Sequence, residues 1–220
     1  MSLIPKRAFT YAPPDEKLEI IHADADIIII NKPSGLLSVP GKSEPDCAQS
    51  RLKTLIPNAL TVHRLDMATS GVMVFAANAG AQRHLGLQFE KRMMRKSYVA
   101  RVWGEVKGEA GTISLPLICD WPNRPMQKVC HDTGKAAVTE WEVLSRKDGV
   151  TRLALFPQTG RSHQLRVHCL EMGHPIIGDR LYAPEAAFLA ARRLQLHAEH
   201  LSLRHPTGGA WRDYHAPCDF

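Results

Sequence analysis

Thr61-Val62-His63-Arg64-Leu65-Asp66-Met67-Ala68-Thr69-Ser70-Gly71-Val72-Met73-Val74-Phe75 is the stretch on which the fold turns. Thr61-Val62 and Val72-Met73-Val74-Phe75 are β-branched and apolar, as strands require. Thr69-Ser70-Gly71 supplies the turn between them, with Gly71 free to adopt backbone angles that other residues resist. A lone carboxylate, Asp66, then stands at the lip of a sheet, where loops carry chemistry on a rigid frame. Two roles stay open to it: a functional acid, or a turn cap that takes the amide of Ala68 or Thr69.

Working outward, Leu18 to Asn31 predicts strand, bend, strand, broken by Lys32-Pro33-Ser34-Gly35. Pro45 to Ile56 has helical spacing and stops at Pro57, and Ala79 to Arg92 carries an Ala81, Leu85, Phe89 stripe. From Lys96 the period changes to two: Tyr98 to Trp103, Ala137 to Leu144 and Thr151 to Phe156 alternate. Arg161 to Met172 predicts a helix capped by Gly173, and Glu185 to Arg193 another. Leu194 to Arg204 and Ala210 to Tyr214 finish as strands around a turn at Pro206 to Gly209. Strands outnumber helices and are joined mostly by hairpins, so the fold class is α+β with a largely antiparallel mixed sheet and flanking helices. Residues 1–17, with Pro5, Pro13 and Pro14, are expected to be a flexible arm, and residues 18–220 one domain.

Composition narrows the function. The longest apolar runs, Val72 to Ala77 and Ala186 to Ala191, are far shorter than the roughly 20 residues of a spanning helix, and residues 1–17 lack a secretory signal's apolar core. No membrane is therefore expected as a partner. Five scattered cysteines, none in a CxxC pair, argue against a disulfide framework and fit a reducing, cytoplasmic compartment. The pairs His197/His200 and His163/His168 match no metal-ligand spacing, so no metal is expected. The chain carries a formal charge of +6. Between Ala81 and Arg101, Arg83, Lys91, Arg92, Arg95, Lys96 and Arg101 face one acid, Glu90. That excess suits a phosphate backbone; a solvated helix face is the alternative.

Five blocks occur in order: Asn31-Lys32-Pro33-Ser34-Gly35-Leu36, His63-Arg64-Leu65-Asp66, Lys96-Ser97-Tyr98, Thr159-Gly160-Arg161-Ser162-His163-Gln164-Leu165-Arg166 and Gly173-His174-Pro175-Ile176-Ile177-Gly178-Asp179-Arg180. Together they resemble the RluA family of RNA pseudouridine synthases, from about Leu18 to the C-terminus. Leu36-Leu37-Ser38-Val39-Pro40-Gly41 and Leu115 to Pro125 are similar to its compact bacterial branch, which acts on both tRNA and 23S rRNA.

The resemblance implies the pseudouridine synthase fold with a central catalytic cleft, no separate S4-like RNA-binding domain, and no obligate protein partner. It implies isomerisation of uridine to pseudouridine in structured RNA, in a tRNA anticodon stem-loop and a 23S rRNA loop, by base flipping and without a cofactor. The absence of a GxGxxG or Walker loop fits such chemistry. Asp66 becomes the catalytic carboxylate and Arg166 its guanidinium neighbour, otherwise a surface helix cation. Tyr98 would stack on the uracil and act at C5, where a core tyrosine is the alternative. Arg64 would fill the space of the extruded nucleotide. Further RNA contacts are expected from His63, Arg83, Arg92, Arg95, Lys96, Arg124 and Arg161. Trp121-Pro122-Asn123-Arg124-Pro125 is a candidate substrate loop or a rigid surface turn. A binding module without chemistry would survive loss of Asp66; a metal-dependent hydrolase or deaminase needs a His/Cys ligand set that the sequence does not assemble.

Overall fold

The computed structural model describes residues 7–220. In chain order the elements are β1 (Glu19–Ala23), β2 (Ile27–Lys32), α1 (Ala48–Leu55), β3 (Leu60–Thr61), β4 (Ser70–Ala76), α2 (Ala79–Glu90), β5 (Arg95–Trp103), β6 (Ala110–Ser114), β7 (Leu117–Cys119), β8 (Gln127–Val129), β9 (Val138–Lys147), β10 (Val150–Pro157), α3 (Gln164–Glu171), α4 (Glu185–Leu189), β11 (Leu196–Arg204) and β12 (Trp211–His215). The class is α+β with mostly antiparallel pairing, as expected. The chain divides into two compact units.

The first unit comprises Thr10–Lys96 and His197–Asp219. Its sheet runs β1-β2-β4-β11, with β3 on β4 and β12 on β11. Ile27 to Ile30 are all fully buried, as are most of β4, so these central strands are apolar on both faces. Alternate residues of β2, β4 and β11 (Ile27, Ile29, Val72, Val74, Leu201, Leu203) form one core with Ala81 and Leu85 of α2. Asn78 caps α2 by accepting the Ala81 amide at 2.8 Å.

One expected turn moves. Ser70 and Gly71 are strand residues, drawn into a parallel ladder opposite His197 and Ala198. The turn falls instead at Met67-Ala68, closed by the Thr69 amide donating to the Asp66 backbone carbonyl at 3.1 Å. Gly71 is still required, for a sharper reason. Its φ is +110°, and a Cβ there would stand 2.2 Å from the Ala198 carbonyl oxygen. A partner strand more than a hundred residues away sets this, so local sequence cannot reveal it.

The second unit contains Ser97–Leu196 with Arg7–Phe9 and Phe220. It is built on the antiparallel order β5-β10-β9-β6, beside a two-stranded ribbon of β7 and β8. Asp148-Gly149, with φ of 52° and 71°, makes the two-residue turn between β9 and β10. Two helices are shorter than their patterns. The span from Arg161 starts only at Gln164, because His163 is left-handed at φ 54°; α4 ends at Leu189. At the far end of α3 the amides of Gly173 and His174 close on the carbonyls of Leu170 and Cys169, a Schellman cap.

Of the arm expected over residues 1–17, residues 1–6 lie outside the described ones. Arg7 donates to the Arg180 and Ala183 carbonyls and pairs with Glu185, all in its own unit. In the first unit, Tyr11 donates to the Asp46 carbonyl at 2.8 Å.

Candidate active site

Asp66 is half-buried on the loop between β3 and β4. That loop is gripped by the segment that follows β2. Ser38 donates to the Leu65 carbonyl at 2.6 Å and accepts the Leu65 amide at 3.1 Å. Ser34 donates to the Ala68 carbonyl at 2.7 Å, and the Gly35 amide to the Met67 carbonyl at 2.9 Å. Lys32 is fully buried, and its Nζ donates to the carbonyls of Pro33, Leu36 and Met67 at 2.9, 2.7 and 3.0 Å. The residues on both sides of Asp66 are thus fixed by buried donors. Burial pushes the Lys32 ammonium down to about 7, against the nearby Asp66 charge, which favours the protonated form.

Lys32 and Ser38 are the supports that the sequence reading missed. Lys32 closes a strand of four fully buried isoleucines, where a charged side chain needs buried acceptors. That placement is the signal that could have found it. The other motif residue of this loop, His63, accepts the Val74 amide through Nε2 at 3.1 Å and stacks on Phe89 at 4.5 Å. Burial and then Lys96 push its imidazole down to about 3, so the neutral ring brings no charge to a phosphate. Arg64 beside it is exposed.

In the second unit, Tyr98 lies on β5, paired with Leu155 of β10. Arg166 lies in the first turn of α3 and is buried, which removes the alternative of a surface helix cation. Its Nε and Nη2 donate to Asp179 Oδ2 and Oδ1 at 2.8 and 2.7 Å, and its guanidinium stands 5.0 Å from the Tyr182 ring centroid. Asp179 also accepts the amides of Leu181 and Tyr182. This carboxylate orients the arginine, a role the sequence reading did not give it.

Gln164 organises the preceding turn. Its Oε1 accepts from Thr159 Oγ1 and the Arg161 amide, and its Nε2 donates to the Val138 carbonyl and Thr139. The bland turn between β10 and α3 is therefore held by one buried amide with its donors and acceptor engaged. His163 Nδ1 shares a 2.7 Å hydrogen bond with Tyr182 Oη, which also accepts the Gln127 amide. The ribbon bearing the Trp121–Pro125 loop is thereby anchored to the residue that flanks Arg166.

The remaining candidate RNA residues divide between the units. Arg83, Arg92 and Arg95 are exposed in the first, and Arg95 stands 5.1 Å from the Trp211 ring centroid. Lys96 is half-buried 5.8 Å from the Phe89 ring, and desolvation lowers its pKa. In the second unit, Arg124 is exposed over Trp121 at 4.5 Å, and Arg161 Nε donates to the Ala136 carbonyl at 3.2 Å.

The histidines weighed as metal ligands are hydrogen-bonded elsewhere. His168 shares hydrogen bonds with Thr139 and the Leu115 carbonyl, and His197 with Ser70 and the Ala216 carbonyl. Among the described residues no group of three or more His, Cys, Asp or Glu could hold a metal ion. Burial pushes the Cys169 thiol up to about 12, which leaves it inert. No helix of the described residues is long and apolar enough to cross a membrane.

A carboxylate loop with buried supports, in a chain that also buries a carboxylate-oriented arginine and bears exposed arginines, fits an enzyme that acts on nucleic acid. Residues 26–171 match the family described as RNA pseudouridylate synthase. The chain belongs to this family of isomerases, which convert uridine to pseudouridine in RNA. It is 54% identical over 214 residues to the dual-specificity RNA pseudouridine synthase RluA of Escherichia coli strain K12, covering 96% of this chain and 98% of that protein. Identity to the RluA of Vibrio vulnificus is 52%, over 96% and 87% of the two chains. Among solved structures, human RNA pseudouridylate synthase domain containing 1 superposes with a TM-score of 0.79 at 27% identity, over 94% of this chain and 86% of that one. Human RNA pseudouridylate synthase domain containing 4 gives 0.74 at 25%, over 91% and 88%.

Proposed function

We propose that this isomerase acts in the cytoplasm on uridines of both a tRNA anticodon stem-loop and a 23S rRNA loop, with Asp66 as its catalytic carboxylate. The substrate pair is supported by near-full-length similarity to the dual-specificity relatives. The assignment of Asp66 is supported above all by its loop, whose backbone is held on both sides by Lys32, Ser34, Gly35 and Ser38. An acid that merely capped a turn would not need buried donors on both flanks.

The reaction breaks the bond from uracil N1 to ribose C1′ and forms one from C5 to C1′. The C5 hydrogen leaves as a proton, and N1 gains one. The ionised Asp66 carboxylate serves this exchange as nucleophile or base. Attack on C6, attack on C1′ and a glycal route all draw on the same group. Tyr98 and Arg166 are assigned by the motifs that carry them: a ring to stack on the base with a hydroxyl for proton transfer at C5, and a permanent cation to favour the ionised acid. Arg64, exposed two residues from Asp66, takes the place of the flipped nucleotide and offsets the few kcal/mol of unstacking. Arg83, Arg92, Arg95, Lys96, Arg124 and Arg161 contact or support the RNA backbone; His63 contributes by packing.

Tritium release from RNA labelled at uridine C5, in the presence of a chelator, tests this reading. Asp66→Asn is expected to abolish release while RNA affinity stays within about tenfold, or roughly 1.4 kcal/mol. Retained turnover, or affinity lost far beyond that, would remove Asp66 from the chemistry.

A further inference from the structure

The first unit carries a cationic cluster at the end of its β11–β12 hairpin, remote from the Asp66 loop. Trp211 is 38% exposed. The guanidinium carbons of Arg95 and Arg204 stand 5.1 and 4.9 Å from its ring centroid. Both arginines are exposed, and among the described residues neither has a carboxylate within ion-pair distance. Two cations gathered on one indole repel each other. The indole gives both guanidinium groups a platform that limits their freedom, an arrangement that an anion completes.

The cluster is also built from behind. Buried Gln88 donates to the Arg204 carbonyl at 2.7 Å and accepts the Arg204 amide at 2.9 Å, pairing with it as a neighbouring strand would. Arg204 Nη1 reaches the Gly209 carbonyl at 3.2 Å. These contacts fix the backbone and one guanidinium nitrogen, leaving its other donors available.

Position decides what the anion can be. Ser70, where the Asp66 loop enters β4, pairs with His197 on β11. Arg204 lies seven residues further along that strand, about 23 Å at roughly 3.3 Å per residue. We infer that Arg95, Arg204 and Trp211 form a second RNA-binding site, which grips backbone phosphates of the paired stem while the loop nucleotide occupies the Asp66 site. This rests on the reading of the chain as an enzyme of structured RNA, and it adds Arg204 and Trp211 to the RNA track.

Binding of two RNAs tests it: a full stem-loop, and a short single strand covering only the loop. Arg204→Gln keeps most of the side chain's length and removes its charge. Its Kd for the stem-loop is expected to rise about tenfold, and the slope of log Kobs against log salt to shrink by roughly 0.7–0.9 for one lost phosphate contact. Trp211→Ala should weaken the stem-loop similarly and Trp211→Phe much less, since phenylalanine restores a platform. Thermal melting separates these effects from misfolding. An unchanged Kd and salt slope in folded Arg204→Gln would overturn the proposal. Equal losses on the stem-loop and the short strand would also overturn it, placing the cluster beside the reacting nucleotide. A wild-type protein that releases no tritium would defeat the isomerase reading alone, because the stem-loop binding result is independent of turnover.

Discussion

Replacing Lys32 by methionine tests how the Asp66 loop is held. The lysine is fully buried, and its folded pKa of about 7 lies well below the ordinary 10.5. That difference corresponds to about 5 kcal/mol of unfavourable burial at pH values below 7. Against it stand three carbonyls that lose the lysine in the variant, at about 1 kcal/mol each at the low end, with Met67 keeping the Gly35 amide. The two effects oppose each other and partly cancel at neutral pH, so Lys32→Met need not unfold the protein. The clean signature is pH dependence. Between pH 7 and 10.5 the unfolded chain holds a proton on Lys32 that the folded chain has released, so wild-type stability rises with pH across that window. From pH 7 to 9.5 the gain relative to the variant is about 3 kcal/mol. Urea midpoints of both proteins at pH 7, 8 and 9.5 measure it. Parallel curves would show that the buried amine does not titrate there, and the account of its energetics would fail. Turnover should fall at every pH, because the Met67 carbonyl beside Asp66 keeps only one of its two donors, the Gly35 amide.

Asp179→Asn leaves Arg166 buried without its carboxylate and should cost about 3 kcal/mol or more in an unfolding titration; a loss under 1 kcal/mol would mean that the arginine is satisfied without it. Gly71→Ala adds a Cβ 2.2 Å from the Ala198 carbonyl oxygen at φ +110°, and should cost about 3 kcal/mol or more, or abolish soluble expression. Gly149→Ala is its control: φ is +71° but nothing lies within 4 Å, so only about 1–2 kcal/mol of backbone strain is expected. Equal costs at the two glycines would refute the clash.

What the sequence disclosed and what it withheld follow one physical division. Periodicity located α2, β9 and β10 because each buries a face whose spacing depends on that element alone. The turn at Met67-Ala68 was misplaced because Ser70 and Gly71 answer to β11, a strand distant in sequence. The start of α3 was set three residues early because His163 breaks the helix through a left-handed backbone that its residue type does not announce. At the candidate site the motifs singled out Asp66 and Arg166, whereas Lys32, Ser38, Gln164 and Asp179 stood inside the quoted blocks without a role. Their roles are hydrogen bonds to backbone groups or to another side chain, and pairing of that kind exists only once the chain is folded.

These supports also determine what kind of defect their loss should produce. Ser38, Lys32 and Gly35 bind backbone groups of Leu65 and Met67, on either side of the proposed catalytic Asp66. Asp179 does the equivalent for Arg166, and is itself held by the Leu181 and Tyr182 amides. Removing a support displaces a reactive group without changing its nature. A misplacement of about 1 Å can cost on the order of 100-fold in rate. Damage to these supports should therefore rival direct substitution in turnover while leaving the arginines proposed to contact RNA intact. Affinity and turnover should separate most cleanly there, in the buried side chains of Lys32, Ser38 and Asp179.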